Sequence, residues 1–395
     1  MAGGSKPVKI VLIGCGYVSE FYAQSSRYHN ELEFVGAFDR DPAMRQALCR
    51  RWGYHEYETL DALLSDDRIG LVLNLTNPRS HYDVTKACLL AGKHVYSEKP
   101  LAMTASAADD LVRLARERRL YLASAPCSLL SETAQTLWQA ARSGVIGKVR
   151  FAYGNFEDGL LPHKSQPWKW LNGHGAPWPA KDEFEVGCTF EHAGYILTWL
   201  ATLFGPAQRV TAFASCQFPE KGVEVEIMAP DFSVGCLEYK DGVVARVTCS
   251  LGTPKDKSLT IFGDDGALKV FDVRDERAPV YFSGTTHGGV TEAIEERIIR
   301  LGRKAFLRGY DGEWGRWRRY PFTRKPPNHL LALSKPVDFC RGPAELVAAI
   351  AEGRNCRLTA ELGRHVTELI EALQYPSPRG VAIHSSFAPI DPLPA

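Results

Sequence analysis

A lysine placed directly after a short apolar run is the first sign of chemistry in this chain. His94–Ser97 reads as a strand, so the Lys99 of Glu98-Lys99-Pro100 falls at the carboxyl edge of a sheet, where alternating α/β folds hold their ligands. An ammonium there can hydrogen-bond a hydroxyl or a carbonyl and stabilise an alkoxide as it develops. In isolation the same three residues would read as a surface ion pair. A second cluster, Gly14-Cys15-Gly16-Tyr17-Val18-Ser19, follows the apolar run Lys9–Ile13. Its glycines permit a tight turn and a close backbone approach to a pyrophosphate, while the helix that follows from near Val18 offers N–H groups and its positive end. Ser19 stands where the pattern has its last glycine. Asp39 closes the next apolar run about 20 residues on, where a carboxylate accepts hydrogen bonds from ribose hydroxyls. It also repels a 2′-phosphate and so favours NAD. Arg40 beside it could meet that phosphate, which keeps NADP open.

The elements that position these residues alternate through the first third of the chain. Lys9–Ile13, Glu33–Phe38, Leu71–Leu75, His94–Ser97 and Leu120–Ser124 are short apolar runs. Between them, Asp41-Pro42 opens one helical stretch, and Ser80–Ala91 and Ala105–Arg118 carry helical patterns. Strands separated by helices of this length are crossover units on a doubly wound parallel sheet. After the helical stretch Glu132–Ser143 the pattern changes. Arg209–Gln217, Phe232–Tyr239, Val243–Ser250, Ser258–Phe262 and Ala267–Asp272 read as consecutive strands, with hairpin signals at Asp241-Gly242 and Asp265-Gly266. A large, mostly antiparallel sheet is expected there, in an α+β domain over 148–395 after an α/β domain over 1–147. Pro343–Glu352 and Ala360–Tyr375 read as closing helices.

Bulk properties narrow the function classes. A chain of 395 residues suits two domains, and 45% hydrophobic with 24% charged residues is ordinary globular composition. A net charge of +1 gives no global attraction to nucleic acid or anionic membrane. The ten cysteines include no C-x-x-C pair, and His163 and His174 have no acidic or thiol neighbours at ligand spacing, so no metal site is expected. Neither a signal-peptide layout nor an apolar run of spanning length is visible, and a cytoplasmic protein is expected.

Taken together, the GCGYVS turn, Asp39, the segment Thr76-Asn77-Pro78-Arg79-Ser80-His81 and the block AGKHVYSEKPLA resemble the Gfo/Idh/MocA family. The closing DFCRGPAELVAAIAEGRNCRLTAELGRHVTELIEAL is similar to the family's C-terminal segment. The resemblance implies a Rossmann domain and an open-faced sheet domain. It implies an NAD(P)-dependent enzyme moving a hydride between nicotinamide and a secondary alcohol or ketone of a sugar or nucleotide sugar. Thr76, Asn77, His81 and Glu98 then join Gly14, Gly16, Tyr17, Val18, Asp39 and Arg40 around the cofactor, with Lys99 touching both the reacting hydroxyl and the cofactor ribose. A family motif, D-x-G-x-H-x-x-D, places a His as acid or base on a helix. Here Glu191, Tyr195 and Thr198 take its three positions, and spacings of four and three put them on one helix face. A phenol at the His position is a weak acid that the Lys99 ammonium is expected to make stronger. His192, out of register, is the competing proton-transfer residue, and Tyr195 could also be a core aromatic.

Departures from the family pattern accompany this. Thr76-Asn77-Pro78 replaces the usual T-P-N order, Ala123-Ser124-Ala125-Pro126 replaces a strand-end Asn, and Thr198 replaces an Asp, which weakens an inositol dehydrogenase reading. Trp168, Lys169, Trp170 and Asn172 could stack on and hydrogen-bond a sugar ring, or simply order a loop. The basic stretch 284–325 holds Arg297, Arg300, Arg303, Lys304 and Arg308, then Trp314 and Trp317. It reads as a solvated face or subunit contact, with anionic-substrate binding or peripheral membrane contact as sharper alternatives. A homodimer or homotetramer through the open sheet is expected. Reduction of a non-sugar carbonyl or diol, and NAD binding by a regulator without turnover, are the competing functions.

Overall fold

The computed structural model describes residues 7–160, 162–284 and 317–394. Most of the basic stretch, including Arg297, Arg300, Arg303, Lys304, Arg308 and Trp314, therefore lies outside the described residues.

Six parallel strands form the first sheet: β1 (Val8–Ile13), β2 (Leu32–Phe38), β3 (His55–Glu56), β4 (Leu71–Asn74), β5 (His94–Ser97) and β6 (Leu122–Ser124). Their order is β3-β2-β1-β4-β5-β6, and chain direction across the sheet reverses between β1 and β4. Ile10, Val11, Leu12, Leu71, Val72 and Leu73 are fully buried, as strands covered on both faces by helices must be. The helices begin where local chemistry says they should. Asp41 accepts the Ala43 and Met44 N–H groups ahead of Pro42–Trp52, and Thr104 accepts the Ala107 N–H ahead of Ala105–Arg118. In the latter, Ala108, Leu111, Val112 and Ala115 form the buried stripe.

The second sheet has nine strands: β7 (Val149–Glu157), β8 (Ala207–Ser215), β9 (Phe232–Tyr239), β10 (Val244–Ser250), β11 (Leu259–Gly263), β12 (Gly266–Val270), β13 (Val280–Gly284), β14 (Arg318–Arg319) and β15 (Val381–Ala382). Its order is β14-β13-β12-β11-β7-β10-β9-β8-β15. All neighbours are antiparallel except β7 and β10, which run parallel from Phe151–Val244 to Glu157–Ser250. Asp241-Gly242 and Asp265-Gly266 do lie at the β9–β10 and β11–β12 turns.

One face of this sheet is covered by helix Cys188–Phe204, which in turn packs on Ala360–Gln374. Contact is close because β7 has no side chain at Gly154. A Cβ there would stand 2.3 Å from Ile196 Cγ2. Phe190, Ile196, Leu197, Trp199 and Leu200 are buried along that helix, each contributing about 1.5–3 kcal/mol of apolar burial. The opposite face leaves Phe151, Tyr153 and Phe213 exposed. The C-terminal helices Arg341–Glu352 and Ala360–Gln374 return to pack on β6. Among the described residues no helix is long and apolar enough to cross a membrane.

Candidate active site

The carboxyl ends of β1 and β4 form one floor of the site. Gly14 has φ +101°, and a Cβ on it would meet the Leu75 carbonyl oxygen at 2.6 Å and the Thr76 nitrogen at 2.7 Å, so only glycine fits the turn. Above Gly16 the space is open, with nothing within 4 Å of a side chain built there. Ser19, in place of the pattern's last glycine, is buried and donates its hydroxyl to the Gly16 carbonyl at 2.7 Å. Asp39 at the end of β2 accepts the Cys15 N–H at 2.7 Å and the Asp41 N–H at 2.8 Å. Arg40 is exposed beside it. A glycine cradle left open, with a carboxylate at the adjacent strand end, fits a dinucleotide. Its pyrophosphate would lie on the Gly14–Ser19 turn and its ribose at Asp39.

The neighbouring turns are tied together rather than free. Thr76 donates its hydroxyl to Asn74 Oδ1 at 2.7 Å, and Asn77 caps the short 3-10 turn Pro78–Ser80. His81 is fully buried, with Nδ1 2.6 Å from the Pro100 carbonyl oxygen and Nε2 2.9 Å from that of Thr76. Sequence reasoning placed it on the cofactor. In the structure it braces the Thr76 and Glu98–Pro100 loops from beneath. Glu98 accepts the Tyr22 hydroxyl at 2.7 Å and the Lys99 N–H at 3.0 Å. Tyr17 is half-buried, edge-on to Phe21, and Val18 accepts the Phe21 N–H.

Helix Cys188–Phe204 supplies the facing wall. Lys99 Nζ meets Glu191 Oε2 at 2.5 Å, with side-chain exposures of only 14% and 5%. Burial, the largest single influence, would push the Lys99 ammonium toward neutrality, but the surrounding negative charges, Glu191 foremost among them, together outweigh it and hold the pKa well above the usual lysine range. Lys99 is therefore a fixed cation and not a base. Tyr195 lies one turn on, its ring centroid 6.0 Å from Lys99 Nζ, stacked on Phe156 at 5.0 Å and 15°. Sequence reasoning expected a lowered phenol pKa. The structure corrects this: burial raises it, and the opposing charges of Arg274 and Lys99 offset that only in part.

His192 also stacks on Phe156, at 4.8 Å, and its Nε2 pairs with Asp158 Oδ2 at 2.9 Å. Its Nδ1 is buried, with no hydrogen-bond partner among the described residues. Asp158 binds Lys257 as well, at 2.5 Å. Burial would raise this carboxyl, yet His192 and Lys257 hold it well below the usual carboxylate range. Glu183 is pushed well up by burial and by the Glu191 charge.

Other expected substrate contacts are used differently. Thr198 is buried and turns its hydroxyl back to the Gly194 carbonyl at 2.7 Å, as helix-interior threonines do. Trp168 packs on Gly222, where a Cβ would stand 2.3 Å from its ring. Asn172 donates to the Gly16 and Tyr17 carbonyls at 3.4 and 3.1 Å. His174 contacts the Cys15 carbonyl and Glu20, both at 3.0 Å. The segment Gln166–Trp178 is thus a strap across the glycine turn. Lys169 and Trp170 remain exposed on it. Sequence reasoning missed Phe156, Asp158, Glu183, Lys257 and Arg274. Their spacing carries no signal: Phe156 and Asp158 come from β7 and the residue just after it, and Glu183, Lys257 and Arg274 each from a different helix or loop.

An open dinucleotide cradle opposite a buried lysine and a phenol defines a two-domain NAD(P)-binding oxidoreductase. Residues 8–125 match the oxidoreductase family with an NAD-binding Rossmann fold, and residues 134–269 match the GFO/IDH/MocA C-terminal domain. The chain belongs to the Gfo/Idh/MocA family. It is 24% identical over 273 residues to an uncharacterised oxidoreductase of Synechocystis, covering 67% of this chain and 71% of the relative. A putative UDP-kanosamine synthase oxidoreductase subunit of Amycolatopsis mediterranei is 24% identical over 325 residues, 75% of this chain and 84% of its own. Among solved structures, a 3-ketoreductase from Actinomadura kijaniata, in complex with TDP-benzene and NADP, shares the fold with TM-score 0.68. The two are 18% identical over 93% of this chain and 97% of that one.

Proposed function

We propose that this enzyme moves a hydride between nicotinamide and a secondary alcohol or ketone of a sugar or nucleotide sugar. The observation that carries this reading is the meeting of Lys99, from the first sheet, with Glu191 and Tyr195, from the helix on the second. The nicotinamide, when bound, supplies the hydride donor or acceptor. Lys99 holds the substrate oxygen and stabilises its negative charge as the C–H bond breaks. Tyr195 takes or returns the hydroxyl proton at its phenol oxygen. Glu191 keeps Lys99 charged and aimed, and offers a route for the proton to leave. The relatives named for nucleotide-sugar chemistry support the substrate class. The test is turnover with NAD and NADP across free sugars, inositols and UDP- or dTDP-sugars. Cofactor binding with no turnover on any of them would leave a regulator instead.

Asp39 sets the cofactor preference in this reading, with NAD binding more tightly than NADP. Asp39→Asn keeps an acceptor for the Cys15 N–H and removes the charge, so the gap should narrow by about tenfold. Fluorescence titration reads it, and a tighter NADP constant in the unmodified protein would give the preference to Arg40.

The exposed aromatic face of the second sheet is proposed as the seam of a homodimer or homotetramer. Phe213 is 58% exposed there. Phe213→Asp should shift light-scattering mass toward the protomer, and an unchanged mass would place the contact elsewhere.

A further inference from the structure

Arg274 follows β12 in the turn Asp272–Arg277, and its guanidinium carbon stands 4.8 Å from the centroid of the Tyr195 ring. Lys99 Nζ is 6.0 Å from that same centroid. Two cations therefore flank the proposed acid–base residue, and only one of them is matched. Lys99 has Glu191 at 2.5 Å. The hydrogen bond Arg274 makes among the described residues comes from its backbone N–H, to Asp272 Oδ1 at 2.9 Å. No described carboxylate or carbonyl reaches its guanidinium.

Asp158, Asp272 and Glu98, whose charges favour the Arg274 cation, each have another partner. Asp158 binds His192 and Lys257, and Glu98 binds the Tyr22 hydroxyl and the Lys99 N–H. Asp272 faces Lys255 at 3.8 Å. Positive charge accumulates further: burial lowers the Lys335 pKa, and the charges of Arg274 and Lys255 lower it more. A guanidinium cannot release its proton to escape this field. Nor can the neutral Tyr195 hydroxyl match the charge of a guanidinium that is only partly exposed. Arg274 lines one cleft with Tyr195, Glu98, Tyr22, Pro126 and Phe339. Its planar fork suits the two oxygens of a carboxylate or a phosphate.

We propose that Arg274 anchors an oxyanion of the substrate, a carboxylate or phosphate carried by the sugar away from the carbon that exchanges hydride. The enzyme's substrates are then acidic sugars, and Arg274 selects them over neutral ones. This rests on the assignment of Lys99 and Tyr195 as the reacting end of the site.

The experiment pairs neutral sugars with their uronates and with UDP- or dTDP-sugars at saturating cofactor, in the unmodified enzyme, Arg274→Met and Arg274→Lys. Expected is a kcat/KM preference for acidic over neutral members that falls about 10²-fold in Arg274→Met, through KM, and is partly rescued by Arg274→Lys. The uronate and nucleotide-sugar arms decide which oxyanion is read. Equal use of neutral and acidic sugars would overturn the proposal. So would a loss in Arg274→Met confined to kcat with a displaced pH profile, since the guanidinium would then act on the Tyr195 phenol alone. Thermal-shift binding of the same sugars in the presence of reduced cofactor separates the two readings. Arg274-dependent binding of acidic sugars without turnover would sustain the anion site and overturn the hydride assignment. Absence of both would overturn both.

Discussion

Lys99→Met is expected to lower turnover by about 10³-fold while leaving the NAD dissociation constant within a few-fold of the unmodified value. Removing one donor aimed at a developing oxyanion costs about 10²–10³ in kcat, and here the donor is also the site's principal positive charge toward the reacting oxygen. The pyrophosphate turn at Gly14–Ser19 and the ribose carboxylate at Asp39 do not depend on it. The same change strands Glu191, 5% exposed, without its partner. Breaking a buried pair from one side costs about 3–5 kcal/mol, so the melting temperature should fall as well. Adding Glu191→Gln to Lys99→Met removes the stranded charge and should recover most of the stability without recovering activity. If the double variant regained turnover, Lys99 would be a structural residue and the oxyanion would be stabilised elsewhere.

Tyr195→Phe should lower the turnover number by about 10²-fold or more, the usual cost of losing a general acid or base. The pH dependence gives a signature that packing alone would not. Burial lifts the phenol pKa above its ordinary value near 10, so the neutral phenol, the proton donor, dominates at pH 7. Oxidation of the alcohol needs the deprotonated form, and its rate should climb through the alkaline range, while reduction stays level there. The alkaline climb should vanish in Tyr195→Phe. His192→Asn should act mainly on substrate affinity, because His192 Nε2 is engaged by Asp158 at 2.9 Å. The reverse pattern, with Tyr195→Phe near full activity and His192→Asn dead, would move the proton transfer to the His192–Asp158 pair. That pair is chemically competent, and His192 Nδ1 has no hydrogen-bond partner among the described residues.

These two results also bear on how the site is built. Every group they invoke on the first sheet was visible in the chain itself. The glycine turn, Asp39 and Glu98-Lys99-Pro100 each sit at the end of a strand whose apolar run marks it, and a parallel sheet delivers all such ends to one edge. Glu191 and Tyr195 needed one further step, the helical spacing that puts them on one face. The strap Gln166–Trp178 shows where this stops working. Its Trp, Asn and His content reads equally well as a sugar site or an ordered loop. Docking decided between them for Asn172 and His174, which close on the glycine turn through backbone carbonyls that no side-chain pattern announces.

The sequence by itself determined the alternation of strands and helices, the change to consecutive strands after Glu132–Ser143, the dinucleotide turn and the position of Lys99. All of these follow from periodicity and turn chemistry over a few tens of residues at most. Only the tertiary structure decided which charges are matched. Asp158 directly follows β7, Lys257 precedes β11, Glu183 lies on the short helix Ala180–Val186 and Arg274 follows β12. They converge because the nine-stranded sheet and the helix Cys188–Phe204 bring distant segments against one another. The same convergence reversed the expected direction for Tyr195. A neighbouring ammonium can be anticipated from a motif, but loss of water around a phenol is a property of everything packed against it, and that is written in no single segment.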